Sequence, residues 1–201
     1  MTGLKTDEEK AEEIKKWWKD NGTSVLAGVA LAIGGTFGWQ QWQSHKVTQS
    51  EEASHLFSQV NNGTAIDKAG TLDKLVNDYG ATPYAPFAAM EQAKDAKENQ
   101  AAIDALRLAT NSDQLNVSRI AKLRLARVLI AGGQFAEAGI LIKEKFPSAY
   151  TSLIEELKGD LHLAKKELDQ ARQSYDRAIL SAGRDSVEFL KMKRSNLGEG
   201  A

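Results

Sequence analysis

Between Asp20 and Lys46 the chain carries no aspartate, glutamate, lysine or arginine, although 26% of its 201 residues are charged. Inside the gap lies Thr23-Ser-Val-Leu-Ala-Gly-Val-Ala-Leu-Ala-Ile-Gly-Gly-Thr-Phe-Gly-Trp39. A helix from Asn21 to Trp42 is about 33 Å long at 1.5 Å per residue, against a hydrocarbon core of about 30 Å. All four tryptophans fall at its margins, Trp17 and Trp18 on one side and Trp39 and Trp42 on the other. Trp18 and Trp39 then stand about 32 Å apart, one at each headgroup layer, where amphipathic rings prefer to sit. A buried helix of a soluble core seldom runs this long without a charge. The pattern therefore predicts one transmembrane helix over residues 21–43, in contact with the lipid bilayer.

Positive charge sets the direction. Lys5, Lys10, Lys15, Lys16 and Lys19 precede the span, and Lys46 is the one cation that follows it closely. The positive-inside rule makes residues 1–20 a cytoplasmic tail and exports residues 44–201. The mixture of Lys and Glu in residues 1–13 fits a flexible tail or an amphipathic start. A cleaved signal peptide is the competing arrangement, because Ala30-Leu31-Ala32 is a small-x-small triplet. That triplet lies inside the apolar stretch rather than after it, and the preceding segment is long and Glu-rich, so an uncleaved signal-anchor is expected. Ala30, Gly34 and Gly38 recur every fourth residue and make a smooth strip that suits contact with another membrane helix. Glycine is also simply common in membrane helices.

The exported part has equal numbers of acidic and basic side chains, and the whole chain has a net charge of -1. It lacks the basic face that a nucleic-acid binder needs, so no nucleic-acid partner is expected. The absence of cysteine excludes disulfides, thiolate zinc sites, a cysteine nucleophile and a lipidated N-terminal cysteine. Helical periodicity runs almost throughout, and no segment alternates at period two, which gives an all-α fold without a sheet. Ala53, Leu56, Phe57 and Val60 form one apolar stripe, and Ile66, Ala69, Leu72, Leu75, Val76 and Tyr79 the next, with a turn at Asn61-Asn-Gly63. Thr82-Pro83 reads as an N-cap and first helical residue, opening a helix that reaches about Lys97.

Three later turns are alike: Lys97-Glu-Asn-Gln-Ala-Ala102, Gly133-Gln-Phe-Ala-Glu-Ala138 and Lys166-Glu-Leu-Asp-Gln-Ala171. Each ends in an alanine, followed four residues later by Leu106, Ile142 or Tyr175. A further alanine follows at Ala109 and Ala178, with Lys145 as the exception. Spacings of about 33 to 36 residues match tetratricopeptide repeats, in which small residues let paired helices cross closely. The clearest unit spans about Glu155 to Ala182, with Gly159, Ala171, Tyr175 and Ala178 at contact offsets. In its first helix Leu153, Leu157, Leu161, Ala164 and Leu168 are expected to share an apolar face. The expected architecture is one transmembrane helix followed by a tetratricopeptide-like α-hairpin solenoid. The first helices of its pairs would line a peptide-sized groove.

No catalytic, cofactor or metal constellation accompanies this scaffold. HExxH, G-x-S-x-G and a phosphate loop ending in Lys-Ser/Thr are absent, and Gly34-Gly-Thr-Phe-Gly38 lies within the span. His45 and His55 are about 15 Å apart along a helix, too far for one metal, and His162 is expected on a helix surface. Arg119, Lys122, Arg124 and Arg127 spread over about 200° of helix circumference, and Glu155-Glu156 point different ways, which makes a poor acid/base pair.

Trp17-Trp18-Lys-Asp-Asn21-Gly22 before the span, Gly38-Trp39-Gln-Gln-Trp42-Gln-Ser44-His45-Lys-Val47 after it, and Leu123-Arg-Leu-Ala-Arg-Val128 resemble the YfgM-type ancillary subunits of the bacterial SecYEG translocon. The resemblance implies a non-enzymatic, single-pass inner-membrane protein with a periplasmic tetratricopeptide-like domain. It implies association with the translocon and with a membrane-anchored chaperone of the prolyl-isomerase type, and a part in passing translocating polypeptides onward. It brings no catalytic or cofactor-binding residues with it. The alternative is a membrane-anchored homo-oligomeric scaffold of the cell envelope unrelated to the translocon.

The span is only moderately apolar, since Val25, Leu26, Val29, Leu31, Ile33 and Phe37 supply roughly -2 to -4 kcal/mol on the insertion scale. Ile33→Lys costs about 3 kcal/mol at mid-span and cancels most of that. The fraction of protein resisting carbonate extraction should fall sharply, and unchanged retention would refute a single lipid-embedded span.

Overall fold

Helix α1 (Asp7–Asn61) takes up the whole charge-free stretch without a break in a computed structural model that describes residues 7–198. No proline interrupts it, and Asp7, Glu8 and Glu9 in its first turn face the positive end of the helix dipole. Lys5 and the rest of residues 1–6 lie outside the described residues. So do residues 199–201. After α1 come α2 (Lys68–Asn77), α3 (Ala85–Asp95), α4 (Asn99–Thr110), α5 (Leu115–Ala131) and α6 (Phe135–Ile142). A 3-10 turn over Ser148–Tyr150 leads into α7 (Thr151–Ala164), α8 (Leu168–Ser181) and α9 (Arg184–Ser195). Among the described residues there is no strand. The chain forms two compact units, one up to Gln49 and one from Ser50 onward, and α1 contributes to both.

In the second unit successive helices pair as antiparallel hairpins. Two apolar clusters hold them. The smaller joins Ala53 and Val60 of α1, Leu72 and Leu75 of α2, and Ala88 of α3, with Phe57 and Tyr79 packed against it. The larger runs from Ala89 and Ile103 through Leu125 and Leu129 to Ala138 and Leu157. Ala102, Ala138 and Ala171 are all buried, as are Leu106, Ile142 and Tyr175 four residues on. At Gly159 the approach is tighter still. A β-carbon placed there would lie 2.5 Å from the Tyr175 ring, so the ring occupies the space a side chain would need.

The turns share one closing device. Gly63, Gly133 and Lys166 follow the first helix of their hairpins in the left-handed conformation, with φ of 68°, 74° and 64°. Their N–H groups donate to the carbonyls of Val60, Ile130 and Leu163, and the next residues' N–H groups donate to Gln59, Leu129 and His162. This is the Schellman cap, which satisfies carbonyls left over at a helix end. Glycine enters that conformation freely, whereas Lys166 pays about 1–2 kcal/mol for its β-carbon.

Three local expectations are corrected, and one exception is explained. Helix α3 begins at Ala85, not after Thr82, because a helix capped by Thr82 needs an N–H from residue 86, and residue 86 is Pro. Thr82 instead turns back, its N–H and hydroxyl both donating to the Tyr79 carbonyl at 2.8 and 2.7 Å. Ile66 lies outside α2 and is fully exposed. Lys145 departs from the alanine pattern because α6 stops at Ile142, so no helix crossing reaches it. The buried side of α7 is not the leucine stripe: Leu153 and Ala164 are exposed, Leu168 opens α8 instead of continuing α7 and is exposed too, while Glu155 and Glu156 join Leu157, Gly159 and Leu161 inside.

Gly159→Ala should destabilise the second unit by about 1–3 kcal/mol through overpacking against Tyr175, despite a helix-propensity gain of about 1 kcal/mol. Thermal denaturation followed by circular dichroism reads the difference. An unchanged or raised midpoint would contradict the close crossing.

Candidate interaction surfaces

The first candidate surface lies on α1 in the first unit. Its apolar side chains point outward: Leu26, Val29, Leu31, Ile33 and Phe37 are each at least half exposed. By length and composition α1 can cross a membrane. Two of its polar side chains bond back onto the helix itself. Thr36 Oγ1 donates to the Ala32 carbonyl at 2.7 Å and Asn21 Nδ2 to the Trp17 carbonyl at 3.0 Å. Neither group is left unpaired by transfer to a medium without water. Ala30, Gly34 and Gly38 are exposed, and a β-carbon at Gly34 or Gly38 would meet nothing within 4 Å, so the strip is open.

The four tryptophans sit in two pairs. Trp18 folds over Gly22, where a β-carbon would come within 3.2 Å of the indole. Trp39 and Trp42 have ring centroids 4.9 Å apart, and Lys46 Nζ lies 4.0 Å from the Trp42 centroid. This cation–π contact was not visible as such in the sequence. Its signal is the four-residue spacing of Trp42 and Lys46 on one helix face.

The second candidate surface lies on the first helices of the hairpins. A cavity of about 360 Å³ is lined by Met90, Ala93 and Lys94 of α3, Leu106 of α4, and Arg124, Arg127 and Val128 of α5, with Glu91 at its edge. The floor is apolar and the rim carries three cations. The basic cluster of α5 disperses to separate partners: Arg119 donates to Asn116, Lys122 pairs with Glu144, and Arg127 lies 3.6 Å from Glu156. Arg124 faces the cavity.

Glu155 and Glu156, adjacent and buried, face different helices. Glu155 accepts from Lys158 at 2.5 Å and from Arg177 of α8 at 2.6 Å. Glu156 accepts from Lys193 of α9 at 2.7 Å, and Lys193 also reaches Asp160, which accepts from the Tyr175 hydroxyl at 2.7 Å. This relay ties α5, α7, α8 and α9. Burial and then the Asp160 bond push the Tyr175 hydroxyl's pKa far up, so it stays a proton donor. Burial pushes the Glu155 carboxyl up as well, but the bonds from Lys158 and Arg177 outweigh it and hold the group below its ordinary value. The histidines stand apart: His45 and His55 are exposed on α1, and His162 Nδ1 lies 2.6 Å from Glu167. Among the described residues no three His, Asp or Glu side chains are grouped to hold a metal ion.

The family described as tetratricopeptide repeat-like domain matches residues 15–199. A protein of Aggregatibacter actinomycetemcomitans named ancillary SecYEG translocon subunit is 31% identical, covering 95% of this chain and 97% of its own length. Proteins of the same name from Haemophilus influenzae (29% identical, 95% and 97% covered) and Escherichia coli (26%, 98% and 99%) are also similar. No solved structure matches the chain.

Because the Glu155 carboxyl gives up its proton more readily folded than unfolded, its ion pairs stabilise the protein fully above about pH 4.5. That contribution fades as pH falls through the lower folded value. Glu155→Gln should cost about 1–3 kcal/mol at neutral pH, with the gap from the unaltered protein closing in acid. A gap independent of pH, measured by urea denaturation, would contradict the assignment.

Proposed function

This chain belongs to the tetratricopeptide repeat-like domain family, and we propose that it acts as a non-enzymatic ancillary subunit of the SecYEG translocon. In this reading residues 21–43 cross the bacterial inner membrane, residues 1–20 stay cytoplasmic and residues 44–201 form a periplasmic helical domain. The single observation that carries it is an outward-facing, charge-free apolar stretch on a chain whose relatives, similar over nearly their full length, bear that name. The open strip of Ala30, Gly34 and Gly38 faces a membrane helix of the translocon, where close backbone approach replaces the hydrophobic effect as the source of affinity. Trp17, Trp18, Trp39 and Trp42 anchor the span at the two headgroup layers.

The helical domain links translocation to periplasmic chaperones. Its partner there is a membrane-anchored chaperone of the prolyl-isomerase type, and the apolar cavity beside Arg124 takes segments of translocating polypeptides in passing. Anchoring raises the effective concentration of such partners, so weak contacts suffice and release stays fast.

Photocrosslinkers placed singly over residues 25–42 should capture translocon membrane subunits on the face of Ala30, Gly34 and Gly38. Gly34→Leu with Gly38→Leu should abolish co-purification of the translocon while leaving membrane insertion intact. Crosslinks only to lipid and to further copies of this chain would overturn the proposal.

A further inference from the structure

The charges at the N-terminal end of α1 are sorted along the helix. Asp7, Glu8, Glu9, Glu12 and Glu13 occupy the first two turns with Lys10, which pairs with Asp7, whereas Ile14-Lys15-Lys16-Trp17-Trp18-Lys19 contains three lysines and no acid. At 1.5 Å per residue, Lys15 to Lys19 lie within about 9 Å of Asn21, where the apolar stretch begins. Glu13 and the acids before it lie about 12 to 21 Å away. The screening length at physiological salt is about 8 Å, so a headgroup beside Asn21 feels Lys19 and Lys16 most, Lys15 next and the acids before it less. Asp20 is the one acid within that reach. Trp17 and Trp18 are about half exposed and lie between Lys16 and Lys19 in the chain, so interfacial rings and ammonium groups share this part of the helix. The opposite margin is built differently: its single lysine, Lys46, sits over the Trp42 ring.

We propose that Lys15, Lys16 and Lys19, with Trp17 and Trp18, form a binding site for anionic phospholipid headgroups at the N-terminal margin of α1. Each lysine stem runs along the helix while its ammonium meets a phosphate, and the indoles fix the depth of the helix in the headgroup layer. The site rests on the reading of residues 21–43 as a membrane span.

The full chain carrying Trp39→Phe and Trp42→Phe, reconstituted in phosphatidylcholine vesicles with one-fifth phosphatidylglycerol, reports on Trp17 and Trp18 alone. Bromine on the phosphatidylglycerol acyl chains should quench tryptophan about threefold more per lipid than bromine on phosphatidylcholine. Lys15→Gln, Lys16→Gln and Lys19→Gln together should bring that ratio to one, and so should 1 M salt. The converse chain, with Trp17→Phe and Trp18→Phe, should show a ratio near one throughout. Equal quenching by both lipids in the lysine-bearing chain overturns the headgroup site and leaves these lysines to a protein surface. Absence of quenching by either lipid overturns the membrane span itself.

Discussion

The hairpins of the second unit stand at the distance that a methyl group, or no side chain at all, allows between crossing helices. Ala102, Ala138 and Ala171 set that distance on the second helix of each later pair, and Gly159 sets it from the first helix against the Tyr175 ring. Close approach lets large neighbours such as Leu106, Ile142 and Leu157 interdigitate into one continuous core. A repeat array needs this consistency, because each hairpin is too thin to bury its own apolar face and relies on the next. The buried carboxylates of Glu155 and Glu156 are likewise taken up in joining helices.

Much of this was legible in the amino-acid order. The gap from Asp20 to Lys46 marked the exposed apolar part of α1, and the alanine offsets marked the hairpin crossings, because both depend on the mere presence or absence of a side-chain type at fixed spacing. Other features depended on several neighbours at once. The start of α3 turns on Pro86 lacking an N–H that a Thr82 cap requires, so two prolines have to be weighed together. The inner face of α7 is hidden from hydropathy, since Glu155 and Glu156 are buried against Arg177 and Lys193, which arrive from α8 and α9 to join Lys158 of α7 itself. The cavity beside Arg124 is lined by three helices and has no local signature.

Helix α1 serves two environments with one backbone. Along its charge-free stretch Thr36 donates to a carbonyl of its own helix and bare apolar side chains face outward, the arrangement that a medium without water demands. Its last turns do the reverse, burying Ala53 and Val60 against α2 and α3. The Schellman cap at Gly63 then ends the helix as it ends α5 and α7, so the first hairpin obeys the same closing rule although its sequence looks least like the others.

The terminal helix is attached in a different way from its predecessors. Only Leu190 of α9 is buried, and polar contacts add to its hold on the array: Lys193 to Glu156 and Asp160, Arg194 to Asp176, and Arg172 to the Leu197 carbonyl just past its end. Grease grips the front of the stack; charge grips its tail. Dissolved ions compete for the second kind of grip and hardly touch the first, so rising salinity frays the final helix while the earlier hairpins stay shut.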